Sequence, residues 1–286
     1  MAQGGGAPPA AAIRAKGVSA VVTIVIAIVL FGVGLGAGYF AFRAPAPPKS
    51  TLVVGTNVPF PPFEDFNTTT GEFVGFDIDL ARYIAYDLHW TMVIRQYASF
   101  PTLLSDVGVG NVDMAVAAIT MSGATGAGRN ATMSFSNPYY NANQGVIVKT
   151  ASAITCATEC TVNDLKAYVI GVQQATTSLD WANKYLRPNM TNPDTQIVVF
   201  ERVDTEVAAL KAGSIDAVII DLDPAKTYAA ATNSGLRVAG QITTGELYGM
   251  AVAHGDPLKL VPSINQSLSN MRANGTYAQL IQKWFS

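Results

Sequence analysis

Two stretches of this chain repeat one order of elements, and they constrain the fold more than any other feature of the sequence. Residues 100–120 (FPTLLSDVGVGNVDMAVAAIT) predict a short helix, a glycine-bearing break, an aspartate and a buried strand, and residues 205–221 (TEVAALKAGSIDAVIID) repeat that order. Such alternation is typical of α/β proteins. Each stretch ends on a polar residue, Thr120 or Asp221. Because ligands of open α/β sheets bind beyond the carboxyl ends of the strands, we expect Thr120 and Asp221 to face each other across one cleft.

The segments around these two units extend the alternation. Apolar periodicity predicts further helices and strands, and Asp77 is the expected cap of the first helix. In the second half, a strand at 169–173 leads into a helix that Thr177 or Ser178 is expected to cap. The other predicted strands lie near 51–57, 91–97, 112–118 and 247–253, and the predicted helices lie near 77–88, 100–107, 260–275 and 276–285.

The order of these elements predicts two lobes. The last strand and the last two helices return the chain to the first lobe, so the backbone crosses between the lobes twice. We therefore assign 51–143 and 244–286 to lobe 1 and 144–243 to lobe 2.

The N-terminal region differs from the rest in composition. Residues 18–42 carry no charge over 25 positions, whereas a secretory h-region has roughly 7–15 residues and a spanning helix needs about 20. We interpret 18–42 as an uncleaved transmembrane anchor, with a tail at 1–17 and a stiff Pro-rich linker at 43–50. A cleavable signal peptide is the alternative, because 44–46 form an Ala-x-Ala pattern, although Pro47 follows it.

Sequons and cysteines place the rest of the chain on the extracellular face of the cell membrane. The chain's two cysteines, Cys156 and Cys160, lie four residues apart and predict a small disulfide loop in an exported protein. Because the histidines are only His89 and His254, we predict no metal site and no cofactor. The Asn-x-Ser/Thr sequons stand at Asn67, Asn130, Asn189, Asn265 and Asn274.

The charge of the chain excludes a polyanion as partner. Charged residues make up 13% of the sequence, and basic runs are absent. The first 49 residues hold four of the 18 basic residues and no acid, so the remainder carries 14 basic against 20 acidic residues, a net charge of −6. We therefore predict no nucleic-acid binding.

Seven segments resemble one known family in their order and nearly in their spacing. They are GTNVPFPPFEDF, GEFVGFDIDLARYIA, NVDMAVAAIT, RNATMSFSNPYY, DLKAYVIGV, GSIDAVIID and RANGTYAQLIQKWF. From about Leu52 to Phe285 the chain resembles the extracellular solute-binding proteins of the polar amino-acid ABC transporter family. The resemblance implies a two-lobe periplasmic-binding fold of type II that closes around an amino acid. It also implies delivery to a transporter permease and no catalytic residues.

Arg129 is the one charged residue between Asp113 and Lys149. On chemistry alone, a lone arginine of this kind is more often helix-terminal or on the surface. The resemblance implies another role, because Arg129 matches the family arginine that binds the ligand α-carboxylate. A guanidinium meets a carboxylate through two parallel hydrogen bonds.

The resemblance also implies roles for other residues, each with an ordinary structural alternative. Asp221 would accept the α-ammonium, although it can also cap the helix that follows, where Asp223 is the better cap candidate. The remaining implied contacts are the Thr120 hydroxyl and the Ala118 N–H to the carboxylate, Thr176 and Thr177 from lobe 2, and Phe60 and Phe100 around the apolar part of the ligand.

The sequence departs from the family pattern in two places. The stretch before Arg129, TMSGATGAGR, is about four residues longer than usual and glycine-rich, which predicts that the arginine could be displaced. Asn57 stands where binders of basic amino acids have aspartate, and Gln173 is a second position that faces the ligand side chain. Because neither is a carboxylate, we predict a neutral polar ligand such as glutamine.

Two other functions use the same fold. An enzyme similar to the cyclohexadienyl dehydratases needs a general acid, and besides Asp221 only Glu64 and Asp65 are local candidates. A sensor input domain is the other alternative, but the sequence continues into no kinase or channel region after its closing helix at Ser286. We therefore favour transport over catalysis and sensing.

Overall fold

A computed structural model describes residues 49–286. The anchor predicted at 18–42 and most of the linker at 43–50 lie outside the described residues. Within 49–286, no helix combines the length and the apolar character needed to cross a membrane.

The described chain alternates strands and helices from its first residues to its last. The strands are β1 Thr51–Thr56, β2 Asp65–Asn67, β3 Glu72–Val74, β4 Thr91–Gln96, β5 Met114–Ala115, β6 Met133–Phe135, β7 Tyr140–Lys149, β8 Ile170–Gln173, β9 Ile197–Phe200, β10 Ala217–Asp221, β11 Leu236–Tyr248 and β12 Ala251–Ala253. The helices are α1 Phe76–Asp87, α2 Phe100–Gly108, α3 Gly123–Asn130, α4 Val162–Leu165, α5 Thr177–Trp181, α6 Pro193–Gln196, α7 Val203–Ala212, α8 Leu222–Ala230, α9 Leu260–Ala273 and α10 Thr276–Phe285. A π-helical turn, Ala182–Leu186, and a 3₁₀ turn, Arg187–Asn189, follow α5.

Two five-stranded sheets organise the fold. The first sheet has the order β4-β1-β5-β12-β6, and the second has the order β11-β7-β10-β8-β9. Each sheet has its own apolar core: Leu52, Phe76 and Met271 are buried in the first, and Val172 and Leu186 in the second. The two-lobe α/β fold predicted from the sequence is confirmed.

The two sheets contain the same parallel triad, β4-β1-β5 in the first and β9-β8-β10 in the second. The register is also the same, because Gly55 pairs with Ala115 in the first triad and Gly171 pairs with Val218 in the second. An aspartate precedes the third strand of each triad. Asp113 accepts a hydrogen bond from the Val53 N–H at 2.7 Å, and Asp216 accepts one from the Val169 N–H at 2.8 Å. The repeated sequence unit is therefore a repeated structural unit.

Two long antiparallel strands connect the sheets. β7 pairs with β11 from Tyr140–Tyr248 to Lys149–Leu236, with register shifts between Val238 and Gly240 and between Ile242 and Glu246. The lobe boundaries predicted at 143/144 and 243/244 fall inside these strands and stay a prediction. The disulfide loop lies beside β11, where Cys160 donates its N–H to the Gln241 carbonyl at 2.7 Å. The predicted Cys156–Cys160 bridge is present, with an S–S distance of 2.04 Å.

Two predicted strands are shorter than the sequence pattern suggests. The strand near 112–118 is regular only at Met114–Ala115, because Ala118 adopts a positive φ of 46° that extended pairing does not allow. The strand near 247–253 is interrupted at Gly249, where the chain passes from β11 in one sheet to β12 in the other. Gly249 allows close packing there, because a Cβ atom would lie 2.5 Å from the Met121 Sδ and would require that side chain to move.

Two predicted helix caps are wrong. Asp77 lies inside α1, one residue after its start, and its side chain makes no capping bond. α5 begins one residue after its cap, Thr176, whose hydroxyl accepts from the Leu179 N–H at 3.4 Å. Thr177 and Ser178 are therefore the first two helical residues rather than caps.

Candidate functional site

A cavity lies where the two sheets face each other, with about 440 Å³ of atom-free space when the part open to solvent is included. Both triads and α3 contribute to its walls, as the strand-end argument predicts for Thr120 and Asp221. All ten residues predicted to bind the ligand line this one cavity: Asn57, Phe60, Phe100, Ala118, Thr120, Arg129, Gln173, Thr176, Thr177 and Asp221.

Arg129 reaches the cavity from the last turn of α3, so the glycine-rich insertion does not move it out of the site. The helix packs so closely on the preceding segment that a Cβ atom at Gly126 would overlap the backbone of Met121. The guanidinium donates to the Thr120 carbonyl and to the Ala175 carbonyl, each at 2.9 Å, which uses two of its five donors. Its side chain is buried, and it lies 5.4 Å above the centre of the Phe100 ring.

Burial lowers the pKa of Arg129, while Glu246, Asp221 and Asp180 act in the opposite direction. A guanidinium stays charged in proteins even where burial lowers its pKa. Of the described side chains that line the cavity, Arg129 is the one cation. The cavity can therefore neutralise an anionic group at this end.

Asp221 ends β10 and is buried. It occupies the N-cap position of α8, but its carboxylate makes no capping bond and instead accepts from the Tyr248 hydroxyl and the Gln144 side-chain amide. Burial raises its pKa to about 8, the negative charge of Glu246 adds to the shift, and the two hydrogen bonds and Arg129 oppose it. A cation placed beside Asp221 would reverse the shift.

Gln144 is a site residue that sequence reasoning missed. The Gln144 Nε2 lies within hydrogen-bond distance of three acceptors, Asp221, Glu246 at 2.7 Å and the Thr177 hydroxyl at 3.1 Å, which share its two hydrogens. Its carbonyl accepts from Ser178 at 2.8 Å. Because it lies on β7, it connects one of the strands between the sheets to residues of the cavity wall. Its surroundings in the sequence, NANQG, contain no motif that distinguishes it.

Two backbone and hydroxyl donors expected to meet a ligand carboxylate have protein partners instead. The Ala118 N–H donates to Asp77 at 2.8 Å, and the Thr120 hydroxyl donates to Glu246 at 2.6 Å. The expectation for the Ala118 N–H is corrected, because a backbone N–H has a single hydrogen to donate. Asp77 also accepts from the Tyr139 hydroxyl at 2.7 Å, and its burial raises its pKa to about 7. Asp77 is thus a buried support for the cavity wall.

Side-chain contacts join the two walls of the cavity. Gln173 donates to the Asn57 side-chain oxygen at 3.1 Å, and Asn57 donates to the Tyr97 carbonyl at 2.8 Å. Thr125 donates to Asp180 at 2.5 Å. The Gln173–Asn57, Thr125–Asp180 and Arg129–Ala175 bonds therefore connect the two sides of the cavity directly.

Two glutamates also line the cavity: Glu64, which the sequence offered only as a candidate general acid together with Asp65, and Glu206, which sequence reasoning missed. Glu64 is 1% exposed, and its Oε2 has no hydrogen-bond partner. Glu206 is fully buried, and neither of its oxygens has a partner. Burial raises the pKa of both carboxyls well above the usual range, and Asp77 and Asp221 raise that of Glu64 further. Asp221 is therefore not the sole acid at the cleft. Within 49–286, no cluster of His, Cys, Asp or Glu could hold a metal ion.

The two α/β lobes, the pair of connecting strands and the cavity between the sheets define a two-lobe periplasmic-type binding protein. The chain belongs to the bacterial extracellular solute-binding proteins, family 3, whose family model matches residues 52–286. The glutamine-binding protein GlnH of an ABC transporter of Bacillus subtilis (strain 168) is 30% identical over 226 residues, which cover 76% of this chain and 75% of that protein.

Solved structures of amino-acid-binding proteins are also similar to this chain. An ancestral arginine-binding protein bound to arginine superposes with a TM-score of 0.74 at 31% identity, over 83% of this chain and 99% of that chain. The ancestral amino acid-binding protein AncCDT-1, a precursor of cyclohexadienyl dehydratase, superposes with a TM-score of 0.69 at 29% identity, over 83% of this chain and 96% of that chain.

Proposed function

We propose that this protein captures an amino acid between its lobes on the outer face of the cell membrane and delivers it to an ABC importer. One observation supports the proposal: the same cavity is lined by a buried cation, Arg129, and a buried carboxyl group, Asp221, from opposite sides of the cleft. A zwitterionic amino acid presents the complementary pair of charges. Its α-carboxylate would meet Arg129 and its α-ammonium would meet Asp221 through charge-assisted hydrogen bonds.

Lobe closure explains how such a site gains affinity. Arg129 belongs to lobe 1 and Asp221 to lobe 2, so an amino acid that contacts both stabilises the closed form over the open form. Enclosure also strengthens each ion pair, since water no longer screens it. Phe60 and Phe100 would cover the apolar part of the ligand, and Thr176 and Thr177 would complete the lobe 2 wall.

The relatives support an amino-acid ligand but differ in which one they bind. One relative is named for glutamine, and one solved neighbour is an arginine-binding protein bound to arginine. The neutral ligand predicted from Asn57 and Gln173 stays a prediction, because Glu64 and Glu206 add two carboxyls that were not part of that argument.

Membrane attachment through 18–42 is the second part of the proposal. It rests on the length of the uncharged run and on the Pro-rich linker that follows it. Mass spectrometry of the mature protein from its own cell type tests it. An intact N-terminus in a detergent-soluble fraction supports an anchor, and a mature chain that begins after Ala46 would show that the run is a cleaved signal peptide.

Titration calorimetry of the full-length chain in mild detergent tests amino-acid binding. The protein is first unfolded and refolded to remove carried-over ligand and is then titrated with each of the twenty amino acids. We expect dissociation constants of about a micromolar or less for one or a few of them. Arg129→Ala should weaken binding by about a hundredfold or more, since Asp221 and the ligand carboxylate would lose a buried counter-charge.

Arg187→Ala is the matched control, because Arg187 forms an ion pair with an exposed aspartate, Asp194, on the surface. Binding that survives Arg129→Ala but not other cavity substitutions would place the carboxylate elsewhere. Failure of all twenty amino acids to bind would overturn the amino-acid function.

The comparison with AncCDT-1 and the acids at the cleft make catalysis the second candidate. Glu64 and Glu206 have raised pKa values, which a general acid needs. The family and its named transport relatives favour binding alone, so we retain the prediction that the protein is not an enzyme. Turnover of prephenate or arogenate by the full-length chain would contradict it.

A further inference from the structure

Glu206 stands where the first structural repeat has a leucine. Leu103 lies seven residues before Gly110 in the first unit, and Glu206 lies seven residues before Gly213 in the second. The two positions have the same surroundings. A Cβ atom on Gly55 would meet Leu103, Tyr97 and Val112, and a Cβ atom on Gly171 would meet Glu206, Phe200 and Ile215. The second unit therefore places a carboxyl at a position that serves as apolar core in the first.

Packing does not explain this exchange. A buried carboxyl without a hydrogen-bond partner costs free energy, whereas leucine at this position would contribute to the core as Leu103 does. Glu206 is fully buried, both of its oxygens lack partners, and it lines the cavity. A group in the cavity is the partner that such a side chain can acquire.

Glu64 provides a second carboxyl from the first lobe. It follows the turn that begins at Phe60, where the Phe60 N–H donates to the Glu64 carbonyl at 2.7 Å. Its Oε2 lacks a partner and it lines the same cavity. The hydroxyl of Tyr228, on α8, is also buried without a partner, and both Glu64 and Glu206 act on it electrostatically. The two carboxyls therefore belong to the walls of one cavity, Glu64 on the side of the first sheet and Glu206 on the side of the second.

The charges of an ordinary amino acid do not account for these two glutamates. Its α-carboxylate would use Arg129 and its α-ammonium would use Asp221, as proposed above. The oxygens of Glu64 and Glu206 that lack partners would then stay buried without a hydrogen bond, which is unfavourable for a neutral carboxyl as well as for a charged one. A ligand with a second positive charge on its side chain supplies hydrogen-bond donors to these oxygens and favours the ionised form of both carboxyls.

We propose that Glu64 and Glu206 form a subsite for the positively charged side chain of the ligand, so that the protein selects an amino acid with a guanidinium or ammonium side chain. The inference rests on the proposed function, since it assigns the ligand class of the same site. It opposes the neutral ligand predicted from Asn57 and Gln173. Those two amides bond to each other across the cleft, while the two glutamates have carboxyl oxygens free for a cation.

Matched ligands test the subsite with the full-length refolded chain. Arginine and citrulline have nearly the same shape but differ in side-chain charge, and lysine and glutamine provide a second charged and neutral comparison. We expect arginine or lysine to bind about tenfold or more tightly than citrulline and glutamine. Glu206→Gln and Glu64→Gln should each remove most of that preference and leave the affinity for the neutral ligands within about threefold.

Two controls separate a loss of the subsite from a general effect of charge or of misfolding. Glu72→Gln removes a carboxylate from the exposed strand β3 and should change none of the affinities. Circular dichroism and thermal melts confirm that each variant is folded, and glutamine replaces glutamate with almost no change of volume.

The outcomes separate the two proposals. Tighter binding of citrulline or glutamine than of arginine and lysine, or an unchanged charge preference in Glu206→Gln and Glu64→Gln, would overturn the subsite and leave the amino-acid function intact. Failure of every amino acid to bind would overturn the proposed function and the subsite with it.

Discussion

The two repeated units have the same order of elements, but they contribute different side chains to the cavity and the core. In the first, the helix contributes Leu103 to the core and the segment after β5 presents Ala118, whose N–H is already bonded to Asp77. In the second, the equivalent positions hold Glu206 and Asp221, two buried carboxyls that line the cavity. The first unit is thus an apolar wall with a cation delivered by α3, and the second is an acidic wall. The acidic side of the cavity therefore arises from different residues at equivalent positions of the two repeats, with no change of fold.

The largest effect is expected when the buried glutamate of the second repeat is introduced at the equivalent position of the first. Leu103→Glu would bury a carboxyl against Tyr97 and Val112, inside a cluster of apolar side chains. We expect the free energy of unfolding to fall by about 3–5 kcal/mol, measured by urea denaturation. Leu103→Met is the matched control and should cost less than about 1.5 kcal/mol. A loss of similar size in both variants would show that shape rather than charge decides this position.

The pH dependence of stability tests the acid that replaces Ala118 in the second repeat. Because the pKa of Asp221 rises from 3.8 to about 8 on folding, the folded protein keeps a proton that the unfolded chain has released between those values. Stability should therefore fall by up to about 1.4 kcal/mol per pH unit as the pH rises through this window and level off above it.

Urea midpoints of the ligand-free protein at several pH values measure this slope. Asp221→Asn should flatten it, although Glu64, Asp77 and Glu206 also have raised pKa values and keep part of the dependence. Equal slopes in the two proteins would mean that Asp221 is ionised in the folded state.

The reverse exchange, Glu206→Leu, should make the second repeat resemble the first. Removing a buried carboxyl without partners should raise the free energy of unfolding by about 1–3 kcal/mol at neutral pH. Under the subsite proposal the same variant loses its preference for cationic ligands. Thermal melts and titration of one sample measure both effects, and a variant less stable than the wild type would show that Glu206 has a structural role.

The smallest effects are expected at the aspartate that precedes the third strand of each triad, which tests whether the two repeats are equivalent in structure. Asp113→Ala and Asp216→Ala each remove the acceptor of a backbone N–H at the start of a neighbouring strand. Each should lower the free energy of unfolding by about 0.5–1.5 kcal/mol, and Asp113, which is buried, should lose more than the exposed Asp216. Denaturation by urea measures the difference. A change in ligand affinity in either variant would contradict a purely structural role.

The sequence predicted the local elements and the cleft better than the contacts that complete them. Thr120 and Asp221 were placed at one cavity because strand ends in an α/β fold converge, which depends on local pattern and topology alone. Asp77 was mistaken for a cap because a carboxylate at a helix start usually has that role, whereas its actual partner, Ala118, lies 41 residues away.

Glu206 was missed for a different reason. Its position on a helix of mixed composition carries no motif, and its burial depends on packing against Gly171, Phe200 and Ile215. An alignment of the two repeats by their glycine and aspartate, Gly110 with Gly213 and Asp113 with Asp216, sets Glu206 against Leu103. This alignment is available from the sequence, but it indicates a buried carboxyl only once the position is known to be buried.

The bond between Asn57 and Gln173 has a consequence for the rate at which the protein opens. Asn57 directly follows β1 and Gln173 is the last residue of β8, so amides from equivalent positions of the two central strands meet across the cleft. A neutral hydrogen bond of this kind contributes about 0.5–1.5 kcal/mol, which changes an equilibrium by only about two- to tenfold. Water can replace each partner when the lobes separate. The Asn57–Gln173 bond therefore aligns the two walls of the cavity but adds little to the free energy needed to separate them.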